Sequence, residues 1–285
     1  EAQDQSGTTT PPESSTTSAT TLLPTTTVAA PVGCDAPLAE PGEYEGLNPV
    51  GDVEQAYWQA YWVVVPETYA DVAPAPLYLH LASGDGGHNN FLAAWRPMLH
   101  DLDGLMAIVN TAPGVEGKRD PETTVALIDQ ISAEYCVDSS RVHVMGTGIS
   151  FGMADRLACE EPERIASFVA ALGEEVWSDC TPDRPVPLLT FTGDGDRPSV
   201  SALVDTWVSI NGCDPDPRVE DIGSGVFRKT FRNCEADIVY YDIEGLGHAW
   251  PVHKAIPPQA WYFDEYAEVD YLEEVFRFFA DHPLP

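Results

Sequence analysis

The chain has 285 residues, and its 46 Asp and Glu against 14 Lys and Arg give a formal net charge of −32. Such a surface repels phosphate backbones and anionic lipid, which argues against nucleic acid or anionic membrane as partner. It reads as a solvated surface suited to salty or acidic surroundings. The length allows one large domain or two small ones, and no apolar run is long enough to span a bilayer.

Residues 1–33 stand apart. The stretch "SGTTTPPESSTTSATTLLPTTTVAAP" is mostly Thr, Ser and Pro, with too few large apolar side chains to offset the entropy of ordering. It predicts a disordered, O-glycosylatable stalk. Stalks of this kind tether extracellular domains, so the protein is expected to be secreted or extracellular, with cell-surface anchoring through the stalk as the corresponding tether.

Residues 34–285 have globular texture. Apolar, β-rich runs at 57–66, 76–82, 104–110, 141–146, 165–171, 186–192 and 236–243 predict strands. Helical patterns cover 121–135, 149–160, 199–210 and a region near 269–281. Short apolar strands alternating with amphipathic helices predict an α/β fold, a mostly parallel sheet covered on both faces. Active sites in such sheets lie beyond the carboxyl ends of the strands.

The six cysteines, Cys34, Cys136, Cys159, Cys180, Cys213 and Cys234, form no C-x-x-C pair. The spacing is poor for zinc, and the even count fits three disulfides in an oxidising compartment. The pairing expected first is Cys213 with Cys234, because the segment between them reads as a loop and a turn. Closing a loop of that size contributes on the order of 3 kcal/mol.

Three loops that follow strands end in residues able to do chemistry. The first, after "RVHVMG", contains Gly148-Ile149-Ser150-Phe151-Gly152, a match to G-x-S-x-G that overlaps Gly146-Thr147-Gly148-Ile149-Ser150. The second, "TGDGDRP", offers Asp194 and Asp196, and the third, "EGLGHAWP", offers His248. Turn, acid, histidine is the order Ser…Asp…His of α/β-hydrolases. The types follow from the reaction. A hydroxyl is a weak nucleophile until an imidazole takes its proton, and a carboxylate holds that imidazole in the required tautomer.

With "YWVVVP", "EYCVDSSRVHV", "RLACEEPERIA", "RPVPLLTFTGDGD", "NGC", "EGLGHAWP" and "FRFFADH" in place, the chain from Cys34 to His282 resembles the secreted polyhydroxybutyrate depolymerase and feruloyl esterase family. The resemblance implies an α/β-hydrolase fold and a carboxylic-ester hydrolase ancestry. It implies Asp196 as the triad acid, with Asp194 the alternative, and His248 as the base. It puts Trp250 in the wall of the substrate cleft and His80 in a structural place beside the oxyanion hole. The ligand class implied is an ester, polyester or wall polymer, and no metal or cofactor is required.

The family's serine follows the arginine before the strand by seven residues and precedes the helix cysteine by eleven. Counting from Arg141 and from Cys159 both land on Gly148. Ser150 at the apex would need two more residues before the turn and two fewer after it. The oxyanion backbone would come from Leu81 and Ile149. Where the family has Gly after His, this chain has Leu81 after His80, and its side chain can block or redirect one donor. Two functions follow. One is an impaired relative, with Gly148 in the nucleophile's place, that uses its cleft for binding. The other is an active serine esterase using Ser150, His248 and Asp196. Thr147 or Ser83 as substitute nucleophile is a minor third, since neither occupies the apex.

Overall fold

The order of the strands decides which loops meet. The computed structural model describes residues 38–47, 60–83, 91–92, 95–96, 98–99, 101–111, 121–173, 176, 180–252, 263–265 and 269–285; the stalk expected over 1–33 lies outside them. Twelve strands are described: β1 (Gly42–Leu47), β2 (Ala60–Val65), β3 (Ala75–Ser83), β4 (Leu105–Thr111), β5 (Val137–Thr147), β6 (Ser167–Ala171), β7 (Leu188–Thr192), β8 (Arg218–Gly223), β9 (Val226–Thr230), β10 (Ile238–Ile243), β11 (Trp250–Val252) and β12 (Phe263–Glu265). The described α-helices are α1 (Tyr69–Val72), α2 (Pro121–Glu134), α3 (Phe151–Glu160), α4 (Arg197–Ile210) and α5 (Tyr271–Asp281).

Ten strands form one sheet in the order β1-β2-β4-β3-β5-β6-β7-β10-β9-β8. The middle of it, from β4 through β3, β5, β6 and β7 to β10, is parallel. Both flanks are antiparallel: β1 and β2 on one side, β9 and β8 on the other. β11 and β12 make a separate parallel pair. The fold is the α/β-hydrolase fold with a mixed sheet.

The central strands are apolar throughout because both faces are covered. β6 and β7 are buried along their whole length. On one face Leu77, Leu79, Val142, Val144, Phe168 and Leu188 pack with residues of α2, α3 and α4. On the other, Tyr78, Met106, Met145, Val169, Leu189, Phe191 and Tyr241 pack with Tyr271, Leu272, Val275 and Phe279 of α5. Asp270 caps α5, its carboxylate accepting the backbone N–H of Leu272 at 3.1 Å and of Glu273 at 3.4 Å.

Cys213 is bonded to Cys234, as expected, and Cys159 to Cys180; Cys136 is disulfide-bonded as well. The segment enclosed by Cys213 and Cys234 is a correction to the sequence reading. It is not a plain loop but the hairpin of β8 and β9. The connection is Ser224-Gly225, both at positive φ (49° and 78°), the two-residue turn whose twist suits a hairpin.

Candidate active site

β5, β7 and β10 run parallel within one sheet, so their carboxyl ends lie along one edge. Each feeds one of the loops singled out in the sequence. β5 ends at Thr147 in extended geometry (φ −134°, ψ 151°). Gly148 then takes φ +56°, and one 3-10 turn over Gly148–Ser150 leads into α3. Left-handed backbone at a strand-to-helix turn costs glycine little and other residues about 1–2 kcal/mol. In hydrolases of this fold the nucleophile sits on such a strained turn. Ser150 sits differently: its φ is −91° and ψ 2°, and it is only 2% exposed.

Gly146 explains why the turn can be this tight. A Cβ there would overlap the carbonyl oxygen of Ser150 and come within 2.8 Å of the Ala154 Cβ. Strand and helix therefore meet where neither carries a bulky group. The Ser150 carbonyl faces Gly146 of β5, and Gly148 is the half-buried residue at the bend.

Asp196 and His248 meet. His248 Nδ1 lies 3.1 Å from both Oδ1 and Oδ2 of Asp196. A carboxylate accepts, so Nδ1–H is the donor of this pair, which in the neutral ring leaves the lone pair on Nε2. The carboxylate is 7% exposed and the imidazole 56%, a buried acid behind an accessible base. Asp196 stands at the N-cap of α4 but makes no capping hydrogen bond with its side chain; its oxygens are turned to the imidazole instead. Asp194 is placed elsewhere. It accepts the Gly245 N–H at 3.2 Å and an Arg197 N–H at 3.1 Å.

The other residues singled out are placed as follows. Leu81 is buried inside β3, in register with Gly146 of β5 and Val109 of β4. Ile149 follows the Gly148 bend, Thr147 is buried, and Ser83 ends β3. Trp250, expected in the cleft wall, is 1% exposed. It packs on Phe191 of β7 at 5.2 Å and on His80 of β3 at 6.2 Å between ring centroids. Trp250 thus anchors the chain just after His248 in the core.

His80 lies at the centre of an aromatic cluster that the sequence reading missed. It stacks on Trp95 at 4.9 Å and meets Phe91 edge-on at 4.3 Å. It is fully buried, and neither ring nitrogen has a hydrogen-bond partner among the described residues. Burial pushes its pKa down to about 3, so the ring is neutral. His143 is also buried, hydrogen-bonded to Ser167 Oγ at 2.8 Å, and lowered to about 3, chiefly by burial. His282 is held by the Phe278 carbonyl and Asp237. His88, His100 and His253 lie outside the described residues.

No family model matches the chain. Feruloyl esterase B of Piromyces equi is 25% identical over 166 residues, 49% of this chain and 31% of that protein. The bifunctional acetylxylan esterase/xylanase XynS20E of Neocallimastix patriciarum is 24% identical over 149 residues, 50% of this chain and 22% of that protein. The chain therefore spans less than a third of these relatives. In structure it resembles an acetyl xylan esterase from Aspergillus awamori, with a TM-score of 0.58 at 12% identity over 84% of this chain and 99% of that one. The likeness to esterases of the α/β-hydrolase type thus holds in both sequence and fold.

Proposed function

We propose that the chain is a secreted, esterase-like α/β-hydrolase module, impaired in catalysis, that holds ester-bearing wall polymers or polyesters in its cleft. The observation that carries this reading is Gly148 at φ +56° immediately after β5, where the fold's nucleophile belongs. Glycine there offers the same bend without a hydroxyl. The counts from Arg141 and Cys159 support the same position. Losing the nucleophile of a serine hydrolase costs on the order of 10⁶ in turnover, about 8 kcal/mol of transition-state stabilisation, which Asp196 and His248 alone do not replace. The names of the relatives support feruloyl esters or acetylated xylan as the ligand class. The disulfides support an oxidising compartment. Among the described residues no helix is long and apolar enough to cross a membrane, and residues 1–33 supply the surface tether in this reading.

One observation favours the rival, an active esterase using Ser150: the His248–Asp196 pair is intact at 3.1 Å. Hydrolysis of 4-nitrophenyl acetate and methyl ferulate by the wild type, Gly148→Ser and Ser150→Ala separates the two. The impaired reading expects little turnover from the wild type and a rise of about 100-fold or more in Gly148→Ser. Robust wild-type turnover that disappears in Ser150→Ala establishes the rival instead.

A further inference from the structure

His248 is more than half exposed on a Gly-rich loop, yet its ring is aligned on a buried carboxylate. Asp196 alone does not explain this, because nothing about one hydrogen-bonded pair fixes the path of the loop behind it. The contacts behind it converge on Asp194. Its backbone N–H donates to the Leu246 carbonyl at 3.1 Å. Its Oδ2 accepts the Gly245 N–H at 3.2 Å, an amide whose residue is turned to φ +75°. Just before it, Gly193 lies so close that a Cβ would overlap the Leu246 carbonyl. The acid loop and the histidine loop are therefore joined backbone to backbone through this residue.

The carboxylate is in turn held in place. Arg197, next to Asp196, reaches Asp194 Oδ1 at 3.1 Å and Asp242 Oδ1 at 2.7 Å. Asp242 lies near the end of β10, and its Oδ2 accepts Lys229 of β9 at 2.8 Å. Two acids and two bases alternate from the acid loop, through the strand that feeds the histidine loop, to its hairpin neighbour. We propose that Asp194 is a positioning residue for His248: its carboxylate, braced by Arg197, fixes the 244–248 loop so that Nδ1–H meets Asp196. This holds whichever residue is the nucleophile, since it concerns the base and acid alone.

The tautomer of His248 reads this directly. A free imidazole favours the Nε2–H form, and a hydrogen bond to carboxylate enforces Nδ1–H. In ¹⁵N-labelled full-length protein, at a pH high enough for the ring to be read in its neutral form, His248, assigned by comparison with His248→Gln, is expected as the Nδ1–H tautomer. Asp194→Ala is expected to return it to a mixture dominated by Nε2–H. Asp194→Asn keeps an oxygen for the Gly245 N–H and is expected to retain most of the Nδ1–H form. A general loss of stability would not sort the variants in this way. An unchanged tautomer in Asp194→Ala overturns the proposal. Should that variant not fold, Arg197→Gln reads the brace from its other arm: partial loss of the Nδ1–H form supports the proposal, and an unchanged ring overturns it.

Discussion

Gly148 is the residue on which a stability cost and a gain of chemistry trade against each other. Its φ of +56° is free for glycine and strained for serine. Gly148→Ser is therefore expected to lose about 1 kcal/mol of unfolding free energy while gaining hydrolysis. Urea denaturation beside the esterase assay checks both, and a variant with unchanged stability would mean that the bend relaxes. The buried histidines make a second prediction. His80 and His143 are each lowered to about 3 by burial, against an ordinary 6.5. Between those values the unfolded chain binds protons that the folded chain refuses, so stability is full above about pH 6.5 and falls as pH drops toward 3. The slope is about 1.4 kcal/mol per pH unit for each ring once well below pH 6.5. Urea midpoints at pH 7, 6 and 5 should fall in order, and His80→Phe should flatten the fall; an equal slope in that variant would contradict the assignment of His80.

At the scale of elements, the elbow depends on how closely β5 approaches α3. Gly146→Ala places a methyl group against the Ser150 carbonyl and Ala154, and overpacking of this kind costs about 1–3 kcal/mol. The thermal midpoint of that variant should fall by several degrees; a fall no larger than for an exposed Gly→Ala change would mean the turn is looser than described. The buried parallel strands and their helices were legible in the sequence, because burial on both faces makes them uniformly apolar. The chain order turn, acid, histidine and the family resemblance singled out Asp196 and His248, and the structure brings those two side chains within hydrogen-bond reach. The β8–β9 hairpin was not, because the Arg218–Gly223 strand at the sheet's edge is mostly exposed and polar and shows little hydrophobic alternation. Ser224-Gly225 was its one local signal. Asp194 was visible as a residue but not as a link between the two loops, since the backbone groups it meets there, of Gly245 and Leu246, lie 51 and 52 residues on. Trp250 was read from its neighbour His248, whereas its burial is set by β3 and β7.

Taken whole, the molecule carries a net charge of −32. Like charges on a compact surface repel, which destabilises the folded state and keeps it soluble. Salt shortens the reach of that repulsion from about 10 Å at 0.1 M to about 3 Å at 1 M. The thermal midpoint should therefore rise between 0.1 M and 1 M sodium chloride, and a flat or falling midpoint would mean that the ion pairs of Arg197, Lys229 and their neighbours outweigh the excess negative charge.

The nucleophile's place is tested most directly by covalent labelling. A fluorophosphonate reacts only with a serine that its histidine activates. Incubated with the wild type, Gly148→Ser and Ser150→Ala, and mapped by peptide mass spectrometry, it should mark residue 148 in Gly148→Ser and leave the wild type unmarked. A wild-type chain labelled at Ser150, and unlabelled once Ser150 is alanine, would contradict the account.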